Sequence, residues 1–312
     1  MTGPLSKSSF HPGLHRYALV TVGCTFLLLL AGALVTSTGS SLAVPDWPLS
    51  FGKFFPEMKG GVLFEHGHRM VAGTVALLMS GLAITTQLVE SRPWVKKLAW
   101  TALGAVLLQA VLGGVTVLLH LPTQVSVAHA GLAQIFFCLV VSLALVTSKS
   151  WIEEKPHRLT DRPSPIRLWS LWTTVLIYFQ ILIGAVTRHS GAGLAIPDFP
   201  LSFGQLLPPE WSPLVTLQFS HTRVGALTVL IFVAHTAYRA CFHFPEEKGL
   251  FWPAATAGLL VWFQCFLGMA ILFTQKAIVP TSVHVIIGAA TLASMLVLTL
   301  KSFQLFKKGS VS

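Results

Sequence analysis

Apolar residues along this chain gather in eight long stretches, approximately 17–36, 68–88, 98–119, 125–147, 168–188, 214–238, 252–273 and 281–300. Crossing the hydrocarbon layer of a bilayer takes roughly 20 apolar residues in helical conformation, and each stretch meets that length. Short polar breaks such as Ser91-Arg92-Pro93 and His120-Leu121-Pro122 separate them. The first run, Tyr17 to Val35, is longer than the apolar core of a signal peptide, and more spans follow it. It is therefore expected to be an uncleaved helix. The pattern predicts an all-α integral membrane protein with eight transmembrane helices.

Composition agrees with this and narrows the function classes. Only 10% of the 312 residues are charged and 53% are hydrophobic, against about 25% charged in an ordinary soluble domain. The net charge of +10 is then read as cationic loops on the cytoplasmic side, and nucleic acid is not expected as a partner. Lys7, Arg16, Arg92, Lys96, Lys97, Lys149, Lys155, Arg158, Arg162, Arg167, Arg239, Lys248, Lys301, Lys307 and Lys308 fall on one side of the predicted spans. Lys53, Lys59, Arg188 and Lys276 fall on the other. This asymmetry predicts that both termini are cytoplasmic. The four cysteines, Cys24, Cys138, Cys241 and Cys265, are far apart in the sequence and form no metal-site or haem-attachment spacing.

The chain repeats itself. Pro45-Asp46-Trp47-Pro48-Leu49-Ser50-Phe51-Gly52 returns as Pro197-Asp198-Phe199-Pro200-Leu201-Ser202-Phe203-Gly204, 152 residues later. Gln109-x-x-x-Gly113 returns as Gln264-x-x-x-Gly268, 155 residues later. A unit with an even number of spans re-enters the membrane in the same orientation. The expectation is two tandem parallel four-helix repeats with pseudo-twofold symmetry, residues 1–150 and 151–312, related by an axis along the membrane normal. The outer loops 39–56 and 191–213 are rich in Gly, Pro and aromatics. They suit ordered lids wedged by Trp47 and Phe199, although plain connecting loops have the same composition.

Chemistry concentrates at Glu65-His66-Gly67-His68-Arg69, which precedes the uncharged run from Met70 to Leu82. Ionisable groups at the mouth of such a helix mark a functional site by default, and the competing reading is a hydrated cap. Of the twelve histidines, His68, His129, His221 and His284 are set apart. Each is predicted within about two turns of the outer end of an even-numbered helix, and they form repeat mates (His68 with His221, His129 with His284). Paired imidazoles across a four-helix bundle suit axial ligation of a haem, whereas a tetrahedral or octahedral ion would want further ligands. Gly73, Gly113, Gly114, Gly131, Gly225, Gly268 and Gly288 can admit either a macrocycle or a neighbouring helix. Arg69 and Arg223 can either bind haem propionates or reach out to the interface. The halves also differ: Glu65 precedes His68 by three residues, while Gln218 holds the matching place before His221. A carboxylate in one site only suggests that one site does chemistry while its twin holds a cofactor.

Glu65-x-x-His68-Arg69, His129 with Gly131, His221, His284 and the doubled Pro-Asp-Trp-Pro loop resemble the haem A synthase family of cytochrome oxidase assembly enzymes. The likeness runs from the first helix to the eighth. It implies oxidation of the methyl at pyrrole position 8 of haem O to the formyl of haem A. It implies a haem b held by His221 and His284 in the second half. Haem O would be received near His68 and His129, with Glu65 essential there. It further implies the haem O-forming prenyltransferase and cytochrome oxidase assembly factors as partners; the charge asymmetry puts the haem sites toward the outer face of the cell membrane, and a homo-oligomer is left open. Three departures stand out. The cysteine pair that some members carry in the first outer loop is absent from residues 37–65; His66 is an additional imidazole; and Arg223 is displaced by one residue from the His-Arg pattern. Other classes compatible with the same residues are a di-haem b-type membrane quinol oxidoreductase and a non-enzymatic haem carrier or transporter.

Overall fold

The structure, a computed structural model, describes residues 9–153, 157–158 and 165–307. Of the cations used to orient the chain, Lys7, Lys155, Arg162 and Lys308 lie outside them. Eight helices among the described residues are long and apolar enough to cross a membrane. They are α1 (Pro12–Ser37), α2 (Gly61–Val89), α3 (Pro93–Leu118), α4 (Thr123–Val146), α5 (Ile166–His189), α6 (Pro213–His243), α7 (Lys248–Phe273) and α8 (Ile278–Leu305). Proline opens α1, α3 and α6, where its missing N–H is not needed and its fixed φ suits the first turn. A short helix, Lys149–Glu153, follows α4, and His157–Arg158 pairs in parallel with Phe306–Lys307. Among the described residues the fold is all-helical apart from that two-residue pairing.

Apolar runs located the spans but not their ends. The second run was expected from residue 68, yet α2 starts at Gly61. Glu65 and His66 are helical and buried; a hydropathy pattern excludes such residues, but partners inside the protein satisfy them.

Helices α1 to α4 enclose one apolar cluster, with Met79, Leu82, Phe136 and Leu143 at its centre. Helices α5 to α8 enclose a second, around Ile177, Leu292, Met295 and Leu298. The groups meet where α1 and α4 pack on α8 and where α4 packs on α5, over a small third cluster of Phe137, Val141 and Ala289. Outward-facing residues such as Leu77, Leu107, Trp172, Leu259 and Phe266 are large, apolar and exposed, as a lipid-facing surface requires. Hydroxyls inside the helices bond back to the carbonyl four residues earlier, for example Thr25 to Thr21 and Thr86 to Leu82 at 2.7 Å each. At the turn between α2 and α3, the buried Glu90 takes 2.7 and 3.0 Å bonds from Arg92, which also reaches the Val146 carbonyl at 2.9 Å. Burial pushes the Glu90 carboxyl up, but its bonds to Arg92 outweigh this and hold it below the usual carboxylate range.

Candidate functional site

Two loops of one design cover one end of the bundle. In the first, the Asp46 carboxylate accepts the N–H groups of Phe51 (2.7 Å) and Gly52 (2.8 Å). In the second, Asp198 accepts those of Phe203 and Gly204, both at 2.7 Å. Phe51 and Phe203 have φ of 53° and 57°, and the peptide bonds before Pro48 and Pro200 are cis in both loops. The Gly52 N–H, then that of Phe51, hold the Asp46 carboxyl below its ordinary range. Gly204 and Phe203 do the same for Asp198.

Each loop is pinned to its helix by the residue three places before a histidine. Glu65 Oε2 accepts the Val44 N–H at 2.8 Å. Gln218 Oε1 accepts the Ile196 N–H at 2.5 Å, and its amide donates to the carbonyls of Gly193 and Ile196. Glu65 and Gln218 are buried, at 4% and 0% exposure. Glu65 differs in having a charged partner: Arg69 Nη2 lies 2.7 Å from its Oε1, one turn along α2.

The arginines serve the loops as well. Arg69 donates to the carbonyls of Asp46 (2.7 Å) and Leu49 (2.8 Å). Arg223 donates to those of Asp198 and Leu201, both at 2.5 Å, and lies over the Phe199 ring at 5.4 Å. The displacement of Arg223 in the sequence has a structural cause. Ser220–Gly225 is a π-helical turn inside α6, and its extra residue returns Arg223 to the station that Arg69 occupies. Such turns are often found at functional sites. Both guanidinium groups are thus engaged with loop carbonyls through their Nη atoms, while the Arg223 Nε is buried without a partner.

His66 and Trp47 are private to the first loop. His66 Nδ1 bonds the buried Ser50 hydroxyl at 2.7 Å; Phe219 takes its place in the second half, where the Ser202 hydroxyl has no partner. The Trp47 indole lies on α3, so close that a methyl on Gly114 would fall 2.5 Å from its ring.

The four singled-out histidines share one setting. Each ring rests on a glycine of the preceding helix: His68 on Gly32, His129 on Gly113, His221 on Gly184 and His284 on Gly268. A methyl at Gly184 would stand 2.7 Å from Cε1 of His221, and one at Gly113 3.0 Å from Cε1 of His129. The enclosed nitrogen is Nδ1 in all four, and each ring lies near the backbone of the residue four places before its glycine: Leu28, Gln109, Gln180 or Gln264. Four residues before three of these glycines stands a glutamine that donates to the histidine's own carbonyl. These bonds are Gln109 to His129 (2.9 Å), Gln180 to His221 (2.8 Å) and Gln264 to His284 (2.9 Å). Leu28 stands in that position for His68. Sequence reading missed Gly32, Gly184 and Gln180, although a third Gln-x-x-x-Gly at 180–184 was there to be seen.

The structure brings the histidines together in pairs, one pair in each half. The rings of His221 and His284 have centroids 6.5 Å apart, at 73°, and His68 and His129 hold the corresponding places of the first half, on Gly32 and Gly113. A first-row metal–imidazole bond is about 2 Å, so two imidazoles on opposite sides of one metal atom place their ring centres roughly 6 Å apart. The His221–His284 spacing fits a single axially bound metal. Among the described residues no three His, Cys, Asp or Glu side chains gather as a polyhedral ion site, and the four cysteines are free. Each glycine gives its space to a histidine ring, and paired imidazoles without further donors fit a haem better than a bare ion.

Residues 55–296 match the cytochrome oxidase assembly protein family. The chain is similar to the protein named heme A synthase of Bacillus pumilus, 30% identical over 273 residues that cover 85% of this chain and 87% of that one. Its counterpart in Alkalihalophilus pseudofirmus is 29% identical over 295 residues, 93% of this chain and 97% of that one. The Bacillus cereus heme A synthase is 27% identical over 277 residues, 86% of each chain.

Proposed function

Because the chain belongs to the cytochrome oxidase assembly protein family, we propose that it is a membrane haem A synthase, oxidising the pyrrole C8 methyl of haem O to the formyl of haem A. The observation that carries the division of labour is the pair of glycine-backed histidine sites with a carboxylate beside only one of them. His221 and His284 hold a resident haem b in the second half, residues 151–312. The first half, residues 1–150, receives haem O between His68 and His129. The enclosed Nδ1 atoms leave Nε2 of each ring as the nitrogen offered to iron. Haem supplies the redox chemistry; the protein binds, orients and electrostatically tunes it.

Glu65 supplies fixed negative charge on the His68 side of α2. Val44 donates to one of its oxygens and Arg69 to the other, and the guanidinium beside it favours the ionised form. That arrangement favours a preorganised charge that stabilises positive charge developing at the oxidised carbon over a mobile base. Arg69 and Arg223 are positioning residues that keep the loops closed over the two sites, so that water is excluded while the substrate reacts. The matching loop, arginine and glutamine bonds support two tandem parallel repeats with pseudo-twofold symmetry. The charge asymmetry of the loops supports cytoplasmic termini and haem sites toward the outer face of the cell membrane. Haem O synthase and cytochrome oxidase assembly factors are the partners that this role needs.

Co-expression with a source of haem O, followed by haem extraction and mass analysis, tests the proposal. Haem A is expected. Unchanged haem O beside a well-folded, haem-loaded protein would favour a carrier and overturn it.

A further inference from the structure

Arg188, in the last turn of α5, is a cation that the paired sites and loops leave unexplained. It lies one turn outward of Gly184 on α5, and so on the face against which the His221 ring rests. Its Nη2 donates to the end of α1, to the Ala33 carbonyl at 3.0 Å and to Ser37 Oγ at 2.8 Å. The hydroxyls of Ser282 and Ser37 are 2.9 Å apart, and Ser282 precedes His284 by two residues. The guanidinium is thus linked through Ser37 and Ser282 to the end of α8 that carries His284, and stands at the rim of the second histidine pair.

No carboxylate among the described residues pairs with it. Its Nε and Nη1 hydrogens meet no acceptor among them either. The first half has no counterpart. Thr36 stands four residues after Gly32, as Arg188 does after Gly184, and its hydroxyl turns back to the Gly32 carbonyl at 3.4 Å. A half-buried guanidinium without a counter-ion is costly unless an anion meets it, and its remaining donors form a fork suited to a carboxylate.

We propose that Arg188 binds a propionate carboxylate of the haem held between His221 and His284, fixing that haem with its acid edge outward. The inference rests on the reading of the second half as a resident haem site. It accounts for a difference that the histidines alone do not: the resident haem meets a fixed cation at the rim, while the site that must release its product meets a neutral threonine.

The test compares wild type, Arg188→Gln, Arg188→Lys and Ser37→Ala as purified membrane proteins, by redox titration of the low-spin haem and by its transfer to apomyoglobin. Loss of a charge-assisted bond is expected to speed haem transfer about tenfold in R188Q and to move the midpoint potential negative, since an unneutralised carboxylate favours ferric iron. R188K should fall between R188Q and wild type, and S37A, which removes only the tether, should stay close to wild type. Wild type reconstituted with haem dimethyl ester should lose its haem as fast as R188Q does with free-acid haem, and this arm decides the matter if R188Q yields no protein. Equal potentials and transfer rates in wild type and R188Q, or no effect of esterification, would overturn the inference. Absence of low-spin haem from wild type would instead overturn the reading of the second half.

Discussion

The two helix mouths, Glu65 to Arg69 and Gln218 to Arg223, do the same mechanical work with different chemistry. Each pins a loop N–H through a side-chain oxygen and clamps two loop carbonyls with an arginine. Because neutral Gln218 holds its loop as firmly as Glu65 does, the loop does not need a negative charge. The charge at residue 65 therefore needs another reason, and the histidine pair beside it provides one. Duplication makes the second half an internal control for the first.

Mutations that erase or exchange these differences test the comparison. The largest effect is expected from His221→Ala or His284→Ala, which should abolish the low-spin haem spectrum, whereas His68→Ala should keep it and lose turnover. A low-spin spectrum surviving in both second-half variants would break the assignment of roles. Next comes Glu65→Gln, which converts the first mouth to the chemistry of the second. It should keep the resident haem and its loop, yet lower conversion of haem O on the order of 10²-fold or more; normal turnover in extracted membranes would show that the charge is idle. Gly184→Ala drives a methyl to 2.7 Å from the His221 ring. Haem affinity should fall by roughly 10- to 100-fold, as for other changes behind a metal ligand, measurable by haem titration of the apoprotein.

Smaller effects separate the loops. His66→Phe gives the first half the residue of the second and removes the Ser50 bond. It should cost about 1 kcal/mol, seen as a lower thermal midpoint in detergent, with His66→Asn recovering part of it. Both loops should share one pH response. Asp46 and Asp198 have depressed carboxyl pKa values, from the N–H groups of Gly52 and Gly204 first. Their contribution is therefore present above the ordinary carboxylate range, about 4, and is lost as pH falls through the lower folded values. Limited proteolysis should show both loops opening together on acidification; opening of only one would separate designs that look alike.

Much of this was legible in the linear chain. Eight spans follow from apolar length because a bilayer admits few alternatives to helices, and the four histidines stand out because polar groups are rare there and these recur with the repeat. Helix starts were less legible, since Glu65 and His66 are polar by type but buried by partnership. The displaced arginine at 223 looked like a departure from the pattern until the π-turn at Ser220–Gly225 accounted for it.

The sequence by itself determined the spans, the doubled loop, the ligand candidates and the single carboxylate that separates the halves, because these depend on residue type and spacing. Only the tertiary structure decided what each polar group touches. It gave Arg69 and Arg223 to loop carbonyls, set each histidine on a glycine of another helix, and left Arg188 unpaired at the rim of the second pair. Those contacts join residues from different helices, and their geometry comes from packing, which one-dimensional spacing does not encode.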